Sequence, residues 1–251
     1  MKYSRSGEYK LPGRVYRLAG NLVLRLVPWL PSRLGDPFVR GRSYYQVFAD
    51  TDVGDHQGVS IRKWEAMRMP SDLTSKSVID IGCSEGFFCQ ECARRGAAPV
   101  LGVDGSLGRL ICASFIALTQ GLKIRYKMGV FPDLRVRGTF DYVLCLSVLH
   151  HCLSKKDIWK VLLLEEHVDD LAILRRQLKR LRSLTADKGT CILEIPYEYD
   201  DPAVERKAVD FQILNAELTT AGFARSRCLG AWDYNREHRA FKDRIIYVAE
   251  A

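Results

Sequence analysis

Residues 78–104 read VIDIGCSEGFFCQECARRGAAPVLGVD and decide the fold. A short apolar run from Val78 to Ile81 ends in the loop 82–86, GCSEG, and a helix-compatible segment follows. A second apolar run begins at Val100 and is closed by Asp104. This order of strand, glycine loop, helix, strand and acid is typical of a nucleoside-binding βαβ unit, in which the acid accepts hydrogen bonds from ribose hydroxyls.

The glycine loop differs from a dinucleotide fingerprint. Its pattern is G-x-x-x-G, with Ser84 where a middle glycine often stands. Glu85 is expected to repel a phosphate, whereas Gly82 and Gly86 are expected to let the backbone approach a ligand because they have no Cβ. The loop therefore favours a nucleoside that has no phosphate and carries an amino-acid tail.

Three motifs in this order and spacing resemble the class I methyltransferases that use S-adenosyl-L-methionine (SAM). They are the first strand and loop (78–86), the acid Asp104, and the run 140–151, FDYVLCLSVLHH. The resemblance covers about residues 55–251 and implies a transferase with SAM as its cofactor. It also implies an α/β fold with a Rossmann-like, doubly wound, seven-stranded sheet.

The resemblance also implies a set of donor contacts. These are Asp80, Gly82, Cys83, Ser84, Gly86, Phe87, Asp104, Gly105, Gly129, Val130, Leu146 and Ser147. Asp80 is expected to reach the donor's amino group through water, and Asp104 to bind the ribose. Gly129 and Val130 stand where many members carry an acid for adenine, so they offer backbone and apolar surface instead. For Phe87, packing in the core is an equal explanation.

Candidate acceptor residues follow the fourth and fifth strands. His150 or His151 is a candidate general base, because a histidine titrates near neutral pH; the alternative is that the pair shapes the pocket and caps a helix. Glu194 and Tyr197 are further candidates for acceptor contact. The segment before the first strand commonly covers the pocket in this family, so Tyr44, Tyr45 and His56 are predicted to face it. A solvated loop is the other interpretation of His56.

The sequence predicts the acceptor less specifically than the methyl donor. The same motifs are similar to the methyltransferase domain of O-antigen chain-terminating enzymes, and more loosely to transfer-RNA wobble-uridine carboxymethyltransferases. We therefore expect O-methylation of a glycan or another small polar acceptor. The alternatives are an RNA methyltransferase and a non-catalytic SAM-binding subunit that activates a partner.

Positive charge is concentrated at the N-terminus. Residues 1–45 hold nine Lys/Arg and two acids, which gives +7 of the chain's net +8. We expect a basic, helical N-terminal extension over 1–58 and a methyltransferase domain over 59–251. The extension could dock as a lid or dimer element, lie on an anionic membrane surface, or grip RNA phosphates. No run is long and apolar enough to span a membrane, so the expected location is the cytoplasm, with the inner membrane surface as an alternative.

The remaining patterns predict structure. The eight cysteines fit a reducing cytosol, and Cys89 and Cys92 are expected to be buried helix residues, with no metal site predicted. The arginine-rich run 175–182 is expected to be a solvated helix face with partners at i,i+4. Strands are predicted near 77–82, 99–104, 123–128, 141–147, 189–196, 225–231 and 243–249. Helices are predicted near 60–67, 86–95, 107–120, 166–185 and 209–221.

Overall fold

A computed structural model describes residues 59–149, 168–196, 211–233 and 243–251. Within these ranges we number the elements in chain order. The helices are α1 (Val59–Met67), α2 (Phe87–Arg94), α3 (Leu107–Thr119), α4 (Val168–Leu184) and α5 (Phe211–Thr220). The strands are β1 (Val78–Ile81), β2 (Val100–Asp104), β3 (Ile124–Met128), β4 (Phe140–Leu146), β5 (Thr185–Pro196), β6 (Arg225–Asp233) and β7 (Asp243–Glu250). The predicted N-terminal extension lies outside the described residues.

The seven strands form one sheet in the order β3-β2-β1-β4-β5-β7-β6. Neighbours from β3 to β5 are parallel, and β7 pairs antiparallel with both β5 and β6. The chain runs outward from β1 to β3 and then returns to place β4 beside β1. The strand order thus reverses between β1 and β4, and their carboxyl ends mark the crevice where an open α/β sheet binds its ligand. The predicted doubly wound, seven-stranded sheet is confirmed.

Side chains that alternate along the strands fill two cores, one on each face of the sheet. In β1, Ile79 and Ile81 belong to the core shared with Leu178 of α4 and Leu214 of α5. Val78 belongs to the opposite core, which holds parts of α1 and α2. Asp80 follows the same alternation as Val78. Its carboxyl therefore faces the side of the sheet that α1 and α2 cover.

Helix α1 buries one face. Ser60, Lys63, Trp64 and Met67 are its buried residues, and their spacing of three and four places them on the same side. Trp64 stacks near Phe88 of α2, with 6.5 Å between ring centroids. This packing holds α1 against the donor-loop side of the sheet and carries Lys63 into the interior.

The arginine-rich face of α4 is largely exposed, as predicted, but its arginines have other partners than those expected at i,i+4. Arg175 forms two 2.7 Å hydrogen bonds with the carboxylate of Glu217 on α5. Arg180 Nη2 donates to the carbonyls of Leu134 (2.7 Å) and Val136 (3.1 Å) in the loop that precedes β4. These arginines therefore join α4 to other elements, where the sequence suggested partners at i,i+4.

Strand β5 is longer than predicted. It begins at Thr185, directly after α4, where the prediction began it at Gly189. Phe140 pairs with Thr185 before the register shifts between Phe140 and Tyr142. Nothing local in the stretch 185–189, TADKG, reveals its pairing with β4.

Candidate active site

The loop between β1 and α2 is bonded mainly to the end of β2. Four of its N–H groups donate to acceptors inside the protein. Gly82 and Cys83 donate to Val103 O (2.7 and 3.0 Å), Ser84 to Asp104 Oδ2 (2.9 Å), and Gly86 to Cys83 O (2.8 Å). A phosphate-binding loop works by pointing its N–H groups at the anion. With these four already bonded, the loop is poorly suited to a pyrophosphate, in agreement with the sequence.

The two loop glycines also have a structural reason that the sequence did not reveal. Both have positive φ, 74° at Gly82 and 81° at Gly86, a conformation that favours glycine. A Cβ on Gly82 would lie 2.4 Å from Val148 Cγ2, and one on Gly86 would lie 2.4 Å from the Tyr126 hydroxyl. The space beside each glycine is therefore filled by protein side chains. Their backbone conformation and tight packing account for them without a ligand.

Glu85 also differs from expectation, because its side chain is buried at 5% exposure. The Ser84 hydroxyl donates to Glu85 Oε2 at 2.6 Å, and Arg109 Nη1 donates to the same Ser84 Oγ at 3.0 Å. The Glu85 carboxylate is held inside the protein, and the Ser84 hydroxyl links it to the Arg109 guanidinium. The bonded N–H groups are thus a stronger argument against phosphate than the charge of Glu85. The sequence analysis missed Arg109, which lies five residues beyond Asp104 on α3.

Asp104 lies at the carboxyl end of β2 and is partly exposed. Its Oδ2 accepts from Ser84 N at 2.9 Å, and its Oδ1 accepts from Ser106 N at 2.8 Å. A carboxylate offers about four lone-pair sites, so each oxygen keeps capacity for a second donor. Two ribose hydroxyls match that remaining capacity.

The predicted adenine segment lies beside Asp104. The N–H of Gly129 donates to the carbonyl of Asp104 at 3.0 Å, which ties the end of β3 to the end of β2. A Cβ on Gly105 would lie 3.4 Å from Val130 Cγ2, so these two residues are neighbours. Val130 is 70% exposed and Met128 is 56% exposed. The structure therefore brings an open apolar surface next to the acid, which suits a flat purine ring.

Asp80 is buried beneath the loop at 1% exposure. The Cys89 thiol donates to its Oδ2 at 3.7 Å. Burial raises the pKa of Asp80 to about 7, with the Cys89 hydrogen bond and the positive charge of Lys63 acting in the opposite direction. The carboxyl is thus near half-ionisation at neutral pH. A cationic ligand nearby would favour its charged form.

Three other predicted donor contacts are buried. Cys83 is 0% exposed, Phe87 5% and Leu146 6%. The Phe87 ring packs edge-on against Phe88 with 5.2 Å between centroids, inside the core that also holds Trp64. Core packing accounts for Phe87. The side chain of Cys83 is enclosed, so a donor contact there would fall to its backbone.

Ser147 follows β4 at the crevice with φ 61°, which is the left-handed region. Its hydroxyl donates to Glu194 Oε2, and Lys63 Nζ donates to Ser147 Oγ at 3.2 Å. Lys63 Nζ also lies 2.8 Å from Glu194 Oε2, in an ion pair whose side chains are 4% and 0% exposed. Glu194, a predicted acceptor contact, is therefore enclosed and held by these two side chains.

Lys63 was missed by the sequence analysis, although a signal for it was present. It lies in the same helical stripe as Ser60, Trp64 and Met67, all of which are buried. A lysine inside an apolar stripe is rarely buried unless it has a partner. The partner, Glu194, lies 131 residues further on, and that separation hides the pair from any local pattern.

The remaining candidates lie outside the described residues. They are His150, His151, Tyr44, Tyr45, His56 and Tyr197. Their predicted roles, and the predicted domain boundary at residue 58, stay predictions.

The described residues also bear on metal binding and on membrane spanning. No cluster of three or more His, Cys, Asp or Glu side chains there has the arrangement of a metal site. None of the helices in that part of the chain has the length and apolarity of a membrane span. None of the described cysteines is part of a disulfide, and both Cys89 and Cys92 are buried as expected.

Comparisons with known proteins agree with this geometry. Residues 78–164 match a family model described as a methyltransferase domain. A ubiquinone biosynthesis O-methyltransferase from Maricaulis maris is 34% identical over 126 residues, which are 49% of this chain and 46% of the relative. The chain thus spans about half the length of such curated relatives.

Two solved structures share the fold. One is the N-terminal domain of EvdMO1, determined in the presence of S-adenosylhomocysteine (SAH) and D-fucose. It has a TM-score of 0.57 and 18% identity, over 98% of this chain and 99% of that one. The other is an S-adenosylmethionine-dependent methyltransferase from Mesorhizobium loti, with a TM-score of 0.55 and 16% identity over 76% of this chain and 98% of that one. The predicted Rossmann-like fold is confirmed, and residues 78–164 have the similarity to a methyltransferase domain that the sequence motifs indicated.

Proposed function

We propose that this chain transfers the methyl group of SAM to an oxygen of a small polar acceptor. The observation that carries the proposal is the crevice at the carboxyl ends of β1 and β2. There the glycine loop is bonded internally, and Asp104 keeps hydrogen-bonding capacity beside the exposed Val130. Such a site suits a nucleoside without phosphate. The methyltransferase-domain match and the O-methyltransferase relatives support the same reaction class.

The residues of the crevice have separate tasks in this proposal. Asp104 accepts the ribose hydroxyls, and the backbone at Gly129 with the side chain of Val130 covers the adenine. Asp80 places a titratable carboxyl beneath the loop, on the side where an amino-acid tail would lie. Bound SAM would supply an electrophilic methyl group on a positively charged sulfur. The chain's part is then to orient donor and acceptor in line and to exclude water.

A hydroxyl acceptor must also lose a proton. We propose His150 or His151 as the base that takes this proton, since both directly follow Leu149, the last residue described after β4. Tyr44, Tyr45, His56 and Tyr197 are proposed to line the acceptor volume. Glu194 is proposed to support the acceptor volume from inside the protein and not by direct contact, because its enclosed carboxylate is bonded to Lys63 and Ser147.

Two acceptor types have support from relatives. The curated relatives are named for ubiquinone biosynthesis, which points to a hydroxylated aromatic ring. The EvdMO1 domain was solved with D-fucose, which fits the sugar or glycan acceptor that the sequence suggested. Both are small and present hydroxyl groups. We therefore propose a hydroxyl-bearing small molecule as the acceptor class.

The basic segment 1–45 carries the other partner proposals. Its charge would suit either RNA phosphates or an anionic membrane surface. RNA methylation is the alternative function. A SAM-binding subunit without its own catalysis is the third possibility.

The test uses the full chain in two steps. Calorimetry with SAH should show binding; no binding by a folded sample would overturn both enzyme proposals. Methyl transfer from isotope-labelled SAM is then measured with catechol, D-fucose and transfer RNA as acceptors. Label in catechol or fucose supports the proposal, and label in RNA alone favours the alternative. SAH binding with no transfer to any acceptor favours the non-catalytic subunit.

A further inference from the structure

The buried ion pair between Lys63 and Glu194 joins three elements at the ligand edge of the sheet. Lys63 comes from α1, Glu194 from β5, and Ser147, which contacts both, directly follows β4. The two charged side chains are 4% and 0% exposed. The Lys63 ammonium also lies 5.8 Å from the centroid of the Phe88 ring. The pair is thus enclosed, with the Phe88 ring and the Ser147 hydroxyl among its neighbours.

Stability alone is a weak reason for such a pair. Removing two charges from water costs free energy, and apolar replacements of buried ion pairs are often neutral or stabilising. The strands around Glu194 are otherwise apolar, with Ile192, Leu193 and Ile195 all buried. A Lys–Glu pair in this setting therefore calls for another explanation.

The location of the pair suggests such an explanation. Glu194 pairs in register with Leu146, the last residue of β4, and Ser147 comes next at the point where the strand order reverses. Asp80 faces the same side of the sheet, and the charge of Lys63 acts on it. The ammonium therefore lies beside the ends of β4 and β5, next to the donor crevice. Its field reaches any ligand that binds there, because the surroundings are poorly solvated.

A lysine in this place would oppose a cationic donor unless its charge were balanced. SAM carries a positive sulfur, whereas the product SAH carries a neutral one. We propose that the Lys63–Glu194 pair is a positioning element that fixes Ser147 at the crevice and sets the preference of the site for charged donor over neutral product. Glu194 does this by neutralising the ammonium. The inference rests on the proposed function, since it assumes that SAM is the ligand.

The test compares two ligands in the same variants. Calorimetry gives the Kd of SAM and of SAH for the full-length wild type, E194Q and K63M, and the readout is the ratio of the two values. In E194Q the ammonium is no longer neutralised, so SAM should weaken relative to SAH by about tenfold. In K63M the remaining carboxylate should move the ratio in the opposite direction. A loss of packing alone would weaken both ligands equally and leave the ratio unchanged.

Two controls make the outcome decisive. E217Q breaks the Arg175–Glu217 pair between α4 and α5, which shares no residue with the Lys63–Glu194 pair, and should leave the ratio as in wild type. K63M/E194M removes both charges and should return the ratio toward wild type. The double variant also takes the place of a single variant that does not fold.

Ratios within twofold of wild type in every folded variant would overturn the inference while leaving the proposed function intact. A wild type that binds neither ligand would refute the proposed function itself.

Discussion

The backbone N–H of Ser84 donates to Asp104 Oδ2 at 2.9 Å, so the acid predicted to bind ribose also anchors the glycine loop. The other oxygen of the same carboxylate accepts from Ser106 N at 2.8 Å, where α3 begins. One side chain thus links the ends of β1 and β2 to the start of α3. These bonds within the protein hold the loop in place, which lowers the ordering cost of binding.

Replacing Asp104 should therefore affect binding and stability together. D104A removes the predicted ribose acceptor and leaves the N–H of Ser84 without its partner. We expect the Kd for SAH to rise at least about tenfold, on the scale of hydrogen bonds to a charged group. Calorimetry measures the affinity, and urea unfolding measures the accompanying loss of stability.

Asp133 provides the matched control for that experiment, because its side chain is 75% exposed and it pairs with Arg176 at the surface. D133A should change neither property appreciably, as surface ion pairs contribute little. An SAH affinity unchanged in D104A would show that the ribose assignment is wrong.

Gly102 in β2 should not tolerate a methyl group. A Cβ there would lie 2.6 Å from Tyr126 Cδ1 and 2.9 Å from Cys83 Sγ. G102A should lower the free energy of unfolding by about 1–3 kcal/mol through overpacking. Urea denaturation measures it, and the Y126L background, which removes the ring, should reduce the loss.

A substitution at Gly138 distinguishes the effect of backbone conformation on stability from the effect of packing. It has φ 85° and no atom within 4 Å of an added Cβ. G138A should cost about 1–2 kcal/mol from the left-handed backbone alone. That cost should be the same in the Y126L background. A loss in G102A that does not respond to Y126L would contradict the packing explanation.

Asp80 should give the protein a characteristic pH dependence. Burial raises its pKa from 3.8 to about 7, so the folded state holds a proton that the unfolded state has lost. Its contribution to stability is fully present below pH 3.8 and is lost as the pH rises through about 7. The free energy of unfolding of the wild type should therefore fall relative to that of D80N, whose amide does not titrate, as the pH rises over that range in urea titrations. A wild type that gains stability relative to D80N with rising pH would contradict the raised pKa.

Variants of the two histidines after β4 should distinguish SAH binding from methyl transfer. H150A and H151A, made singly, should each bind SAH as wild type does. One of them should lower methyl transfer at least about a hundredfold, the usual scale of general-base catalysis. The measurement is label transfer to whichever acceptor the panel identifies. Full activity in both variants would remove the histidines as candidates for the base.

Local patterns located the elements well. Every helix and strand observed had been predicted, and the largest difference was the start of β5, at Thr185 and not Gly189. Apolar runs and glycine stops identify strands because burial and turn conformation are local demands on the sequence. The early start of β5 depends on pairing with Phe140, which no local pattern reports.

The site was only partly predictable. Asp104, Gly129 and Val130 are close together as the order of motifs suggested. The partners of the charged groups were not found: Arg180 binds loop carbonyls, and Lys63 pairs with Glu194. Such pairs depend on how helices lie over the sheet, because a charged side chain in the interior takes whichever partner the packing supplies.

The sequence by itself determined the βαβ unit, the sheet and the acid at the end of β2, because each rests on residues near one another in the chain. The tertiary structure decided why the loop has glycines at 82 and 86, since Val148 and Tyr126 fill the space beside them. It also decided that Glu194 is enclosed and paired with Lys63. Close packing and buried charge are properties of neighbours in space, and those neighbours become known only when the chain is folded.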